Sequence, residues 1–527
     1  MGKKTINLSM SECNNREMRI GSIISWDGKA SELVEASNYE QRSRHEKKHG
    51  CNGGGGKACQ LCELNMPFSQ QTMCANAIVA CQIGNLTDCI LIEHAPIGCS
   101  ANNIKYNISF NIGLARRGKA PQTVNILNTN LLENDMVFGA SDKLRRTIDD
   151  AYNRYHPKAI FISMSCSTAI IGEDIDSIAD EKEAEIGIPV VPLHCEGFRS
   201  KHWSTGFDIS QHGVARQIVN KNPVKQKDLI NIVALWGTDY FTDLLKPLGL
   251  RVNYLLDMAS YDELHQASEA VATATFCHTL GSYLATALEE HYDVPQVNAP
   301  QPYGIPATDE WLRAIAKIVG KEEITEKYIE SEHKRIQPKI DELREKLKGL
   351  KGAVFTGSAY AHGLICVLRE LGIEVQGSIV FHHDPVYDSG QDRQNSLKYL
   401  VDNYGDVEYF TVSKTQPFQV YNILQRMETD FIIIRHGGLA PVAAKLGVPS
   451  LPMGDEHFPL GYDGIIRLGN VILDIVARHK FDDVLSRHTT LGYTDWWLSQ
   501  KDPFILAHNP DIINEPIHEL NGGKYDG

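Results

Sequence analysis

The chain has 527 residues, of which 42% are hydrophobic and 22% charged, with a mean hydropathy of −0.26, a net charge of −14 and a pI near 5.8. These values fit a globular protein of about three or four domains with a large core. They exclude a basic nucleic-acid footprint, and no run approaches the roughly 18 apolar residues of a membrane span.

The first eighteen residues, MGKKTINLSMSECNNREM, hold no apolar core and do not read as a secretory signal. A cytoplasmic location is expected, with neither nucleic acid nor membrane as partner. Residues 1–70 are polar, include four consecutive glycines, and read as an N-terminal extension. Short β-branched runs then alternate with amphipathic stretches. CILIEH reads as a strand, KLRRTIDDAYNRY as a helix, AIFISMSC and IGIPVVPLHC as strands. The pattern restarts after NKNPVKQKD with INIVALWG, RVNYLLD and VATATFC. It restarts again after a long charged helix with GAVFTGS, IEVQGSIVF, VEYFTVS and TDFIIIRHGG. Alternating β and α elements imply parallel sheets covered by helices. The expected fold is α/β, with three Rossmann-like domains at 71–225, 226–350 and 351–480 and a C-terminal extension at 481–527.

In a reducing compartment, twelve cysteines call for an account. Six of them, Cys51, Cys59, Cys62, Cys74, Cys81 and Cys89, crowd together, and Cys99 follows closely. Such crowding reads as metal ligation rather than disulfides. The alternative is that each is a small buried hydrophobe. Ligands of open α/β sheets bind outside the carboxyl ends of the strands. Cys99 follows one strand through a Pro–Ile–Gly turn, Cys166 closes the next, and Cys277 closes VATATFC just before a helix. A helix N-terminus favours thiolate, the donor that holds iron–sulfur clusters. The long gaps suit one cysteine per βα loop.

Four stretches, in order, resemble the α-type subunits of nitrogenase component 1. They are MCANAIVACQIGNLTDCILIEHAPIGC, SMSCSTAIIGEDIDSI, VVPLHCEGFRS and TFCHTLGSYLATALEEHYDVP, with weaker echoes in VFHHDPVYD and PLGYDG. The resemblance implies that Cys74, Cys99 and Cys166 are this chain's share of an 8Fe-7S P-cluster completed by a β-type subunit, in an α2β2 heterotetramer. It implies that Cys277 anchors a second, complex iron–sulfur cofactor of the nitrogenase type. It also implies an ATP-hydrolysing iron–sulfur reductase as partner, since this chain has no G-x-x-x-x-G-K-[ST] match.

The departures from the family narrow the function. Trp203 and Phe207 stand where nitrogenases carry a Gln and a His, and a Phe has no hydrogen to donate. SAYAHG, with Tyr360 and His362, replaces an Arg–Pro–Arg element. Fewer fixed positive charges suggest a less anionic, iron-only cofactor without homocitrate. His457 is the nearest imidazole to the family's second ligand, and an ordinary loop histidine is its alternative. His383 matches a histidine near the cofactor, with proton relay and structural hydrogen bonding as its two readings. An apolar pocket suits a thioether substrate, so among nitrogenase-like branches the chain is most similar to methylthio-alkane reductases. The competing expectations are an alternative nitrogenase and, from another class, a cofactor-assembly scaffold. Cys59-x-x-Cys62 has the spacing of a further metal half-site, while Cys89, Cys195 and Cys366 look like core or structural residues.

Overall fold

The computed structural model describes residues 3–8, 20, 25–37, 74–101, 106–200, 203–233, 238–390, 395–413, 417–435, 440–454, 457–509 and 511–512. In chain order its strands are β1 (Ser25–Gly28), β2 (Cys89–His94), β3 (Ile126–Asn128), β4 (Ala159–Met164), β5 (Val190–Leu193), β6 (Leu229–Val233), β7 (Arg251–Leu255), β8 (Ala272–Thr275), β9 (Lys351–Thr356), β10 (Glu374–Val380), β11 (Tyr409–Ser413), β12 (Phe431–Ile434) and β13 (Ser450–Pro452).

These strands make three sheets, in the orders β3-β2-β4-β5, β7-β6-β8 and β1-β11-β10-β9-β12-β13. Every described pairing is parallel except β1 with β11. The expected α/β class with parallel sheets is therefore the observed one. Both faces of such a sheet are covered, so its strands are apolar throughout rather than alternating. β2 and β4 are accordingly buried at all six of their residues.

The chain divides into two compact units. The first holds the two smaller sheets, and its core includes Ile92, Ile148, Ile160, Ile162, Ile178 and Val190. The second holds the six-stranded sheet, packed around Phe355, Ile379, Ile432 and Ile434. Its antiparallel edge strand β1 falls in a segment whose sequence is polar and irregular overall. Four residues with one Trp are too short for a periodic signal, and pairing with β11 supplies the order.

Candidate functional site

The carboxyl ends of β2, β4 and β5 lie side by side, and the loops leaving them carry Cys99, Cys166 and Gly197. Cys99 sits in the 3-10 turn Ile97–Ser100 that follows β2. Cys166 opens a short helix, α1 (Cys166–Ile170), whose N-cap Ser165 accepts a hydrogen bond from the Thr168 amide. Cys74 arrives from outside the sheet as the N-cap residue of the helix Ala75–Ile83.

Gly197 lies where the Cys74 and Cys166 segments meet. A Cβ built on it would lie 2.9 Å from the Cβ of Cys74, 3.5 Å from its Sγ and 3.8 Å from the Sγ of Cys166. The two sulfurs thus face one space backed by bare glycine. The thiols of Cys74 and Cys166 also help raise the pKa of Cys99, after burial and the Glu93 carboxylate, so the third thiol belongs to the same group. Cys74 and Cys99 are exposed and Cys166 is partly so. Among the described residues, no three His, Cys, Asp or Glu could hold a single metal ion. An all-sulfur set could hold a cluster of several irons, each taking one thiolate.

His94, at the end of β2, is fully buried and bonds Thr129 through Nδ1 at 3.2 Å. Burial lowers its pKa to about 4, so it stays neutral. Thr168 donates to the His94 carbonyl at 3.2 Å, tying the Cys166 loop to the Cys99 loop. Through these contacts His94 holds the turn.

Cys277 is 2% exposed and is the N-cap of α2 (His278–Tyr292), one residue beyond Phe276 and two beyond β8. Its carbonyl accepts from the amides of Leu280 and Gly281, both at 3.0 Å. Trp203 and Phe207 meet edge to face at 5.9 Å, Phe207 being buried on the helix Thr205–Gly213. That helix bridges the two cysteine sites of this unit. Gly206 lets it press on the backbone of Ala75, beside Cys74. At its other end Gln211 bonds the Leu280 carbonyl and, at 2.8 Å, the Leu284 amide of the Cys277 helix.

In the second unit, His362 and His383 are both fully buried and flank Asp388, at 3.9 and 3.7 Å. His383 Nε2 bonds Ser389 at 3.0 Å and Ser37 at 3.2 Å, and His362 Nδ1 bonds Ser396 at 2.8 Å. Burial pushes the Asp388 carboxyl up to about 7 and the His362 imidazole well down. His457 Nδ1 accepts from the Gly454 amide at 3.1 Å, which leaves the ring proton on Nε2. Tyr360 stacks on Phe458 at 5.0 Å, and the Arg435 guanidinium lies 4.8 Å from each ring centroid. Reading the sequence alone missed this cation. Its only signal is its place directly after β12, while the SAYAHG stretch beside it opens the helix Ser358–Glu370.

Cys89, Cys195 and Cys366 are buried, with thiol pKa values pushed well up by burial, which suits core residues. Cys81 is buried in the helix Ala75–Ile83. Cys13, Cys51, Cys59 and Cys62 lie outside the described residues, as does the suggested half-site.

Residues 74–477 match the family model described as nitrogenase component 1 type oxidoreductase. The chain belongs to the nitrogenase component 1 family. It is 28% identical over 372 residues to the nitrogenase molybdenum-iron protein alpha chain of Methanosarcina barkeri, covering 68% of this chain and 69% of that one. It is 30% identical over 402 residues to the nitrogenase iron-molybdenum cofactor biosynthesis protein NifE of Sinorhizobium fredii, covering 73% and 77%. A solved structure titled nitrogenase Cp1 at pH 6.5 shares the fold, with a TM-score of 0.66, 22% identity, and coverage of 81% and 92%. Family membership makes this chain a component 1-type subunit. Among the described residues, no helix is long and apolar enough to cross a membrane.

Proposed function

We propose that this chain is the α-type catalytic subunit of a nitrogenase-like reductase that cleaves the C–S bond of small methylthio-alkanes. The observation that carries the cluster-bearing part is the meeting of Cys74 and Cys166 at Gly197, with Cys99 on the turn that leaves the neighbouring strand β2. These thiolates would hold half of a P-cluster-type group, and the β-type subunit would supply the other half. The surroundings support such a shared site: Ile97, Ile170 and Phe198, close in sequence to Cys99, Cys166 and Gly197, are 61%, 75% and 55% exposed. Apolar side chains left open beside metal-binding thiols suit a surface covered by another subunit.

Cys277 would hold the second iron–sulfur group. Once bound, the two groups would supply low-potential single electrons, delivered by an ATP-hydrolysing iron–sulfur protein. Trp203 and Phe207 would offer the substrate an apolar wall. In the second unit, His457 would present an N–H through Nε2, and His362 and His383 would hold protons. The reaction balances as thioether plus two electrons and two protons, giving a hydrocarbon and methanethiol.

The similarity to cofactor biosynthesis proteins favours a second reading, an assembly scaffold that releases its cluster. One experiment separates them. The complex with its β-type subunit, purified without air, is given the reductase component, ATP and a methylthio-alkane. Methanethiol release over many turnovers supports the reductase. Transfer of the cluster to an apo-acceptor without turnover supports the scaffold, and ammonia from dinitrogen supports an alternative nitrogenase.

A further inference from the structure

Glu93 is the next-to-last residue of β2 and has no exposed surface. Its carboxylate accepts a hydrogen bond from the Ser100 hydroxyl. The same hydroxyl accepts from Asn128 Nδ2 at 2.6 Å. Asn128 ends β3 and pairs in register with Glu93. Ser100 closes the turn that carries Cys99. The Cys99 turn is therefore fastened to two neighbouring strands through one serine.

A neutral acceptor at position 93 would fasten the turn equally well without burying an ionisable group, which costs several kcal/mol in an apolar interior. The acid thus adds something that hydrogen bonding does not require. What it adds is a carboxylate one hydrogen bond away from Ser100, the residue next to Cys99. In a low-dielectric interior such a charge acts strongly on neighbouring sites, and charge and hydrogen bonding around the sulfurs set a cluster's potential.

We propose that Glu93 is a positioning and redox-tuning residue of the three-cysteine site. It seats the Cys99 turn through Ser100, and its negative charge lowers the reduction potential of the iron–sulfur group held there. On oxidation one electron leaves that group for a redox mediator, the site gains one positive charge, and the carboxylate stabilises that state. The inference rests on the reading of Cys74, Cys99 and Cys166 as cluster ligands.

The test is a spectroscopically monitored redox titration of the intact complex with its β-type subunit, for wild type, Glu93→Gln and Glu93→Asp, with iron counted on each sample. Glu93→Gln is expected to keep its iron and shift to a higher midpoint potential, while Glu93→Asp stays near wild type. Full iron and an unshifted potential in Glu93→Gln overturn the inference alone. A wild-type complex without thiolate-bound iron overturns the cluster reading beneath it, so the two failures are distinguishable. Ser100→Ala, which keeps the charge and removes the tether, covers a Glu93→Gln variant that does not assemble. Because Ser100→Ala keeps the charge, the tuning role expects its remaining iron at wild-type potential. A potential raised there, with Glu93 in place, makes the effect one of seating alone and overturns the tuning role.

Discussion

Gly197 stands directly behind Cys74: a methyl group on its Cα would sit 2.9 Å from the Cys74 Cβ. That is closer than real Cβ contacts come, so Gly197→Ala must displace the Cys74 side chain. The overpacking costs about 1–3 kcal/mol, and the displaced sulfur moves out of the space it shares with Cys166. The expected outcome is a folded chain that loses most of the iron bound with its β-type partner. Iron per complex and circular dichroism on one sample check it. Wild-type iron in Gly197→Ala would contradict the assigned ligand geometry.

Cys277 occupies a different place in the same unit, buried at the start of its helix after β8. Removing its sulfur should abolish turnover and the signal of the second iron–sulfur group while the three-cysteine site keeps its iron. The volume change is small, so Cys277→Ala should remain folded. Electron paramagnetic resonance with metal analysis distinguishes the two sites. Loss of both groups together, or of neither, counts against dividing the cysteines this way.

Much of the scaffold was legible because parallel strands buried on both faces read as continuous apolar runs. AIFISM became β4, and VATATFC placed Cys277 at a helix start as expected. The convergence of Cys74, Cys99 and Cys166 was legible only through the family resemblance, because no local pattern shows that β2, β4 and β5 are neighbours. Gly197 was invisible as a packing device, since a glycine's close approach is a property of what lies opposite. Arg435 was missed for a similar reason: it meets Tyr360 and Phe458 only after three separate segments of the second unit have come together. The Asp388 network carried no signal either, because Ser37 and His362 reach it from segments distant in sequence.

The exposed Ile170 and Phe198 lead to a prediction about assembly. If the cysteine face is covered by a β-type subunit, a carboxylate there is buried without a partner. Such a group costs about 3 kcal/mol, on the order of a hundredfold in Kd. Ile170→Glu should weaken the heterodimer by about that factor and leave the isolated chain's thermal stability unchanged. Sedimentation with the co-expressed partner measures the first and calorimetry the second. An unchanged Kd would place the partner elsewhere.

Asp388 gives a pH dependence whose sign is fixed. Its carboxyl is pushed up to about 7 in the folded chain, mainly by burial, against 3.8 for the ordinary group. Between those values the folded state binds more protons than the unfolded one, so stability falls as pH rises from about 4 to about 7. Above 7 the cost of the buried charge is fully present, and below 4 it vanishes. Asp388→Asn stays uncharged throughout, although its NH2 replaces one of the two oxygens that accept from the Asp384 amide and the Ser396 hydroxyl and so sets a donor against a donor. The variant should therefore be less stable than wild type at pH 5 and lose that deficit progressively by pH 8. Melting temperatures across this range measure the difference. A gap that stays constant with pH would mean that Asp388 is already ionised at pH 5 and that His362 and His383 flank a fixed charge.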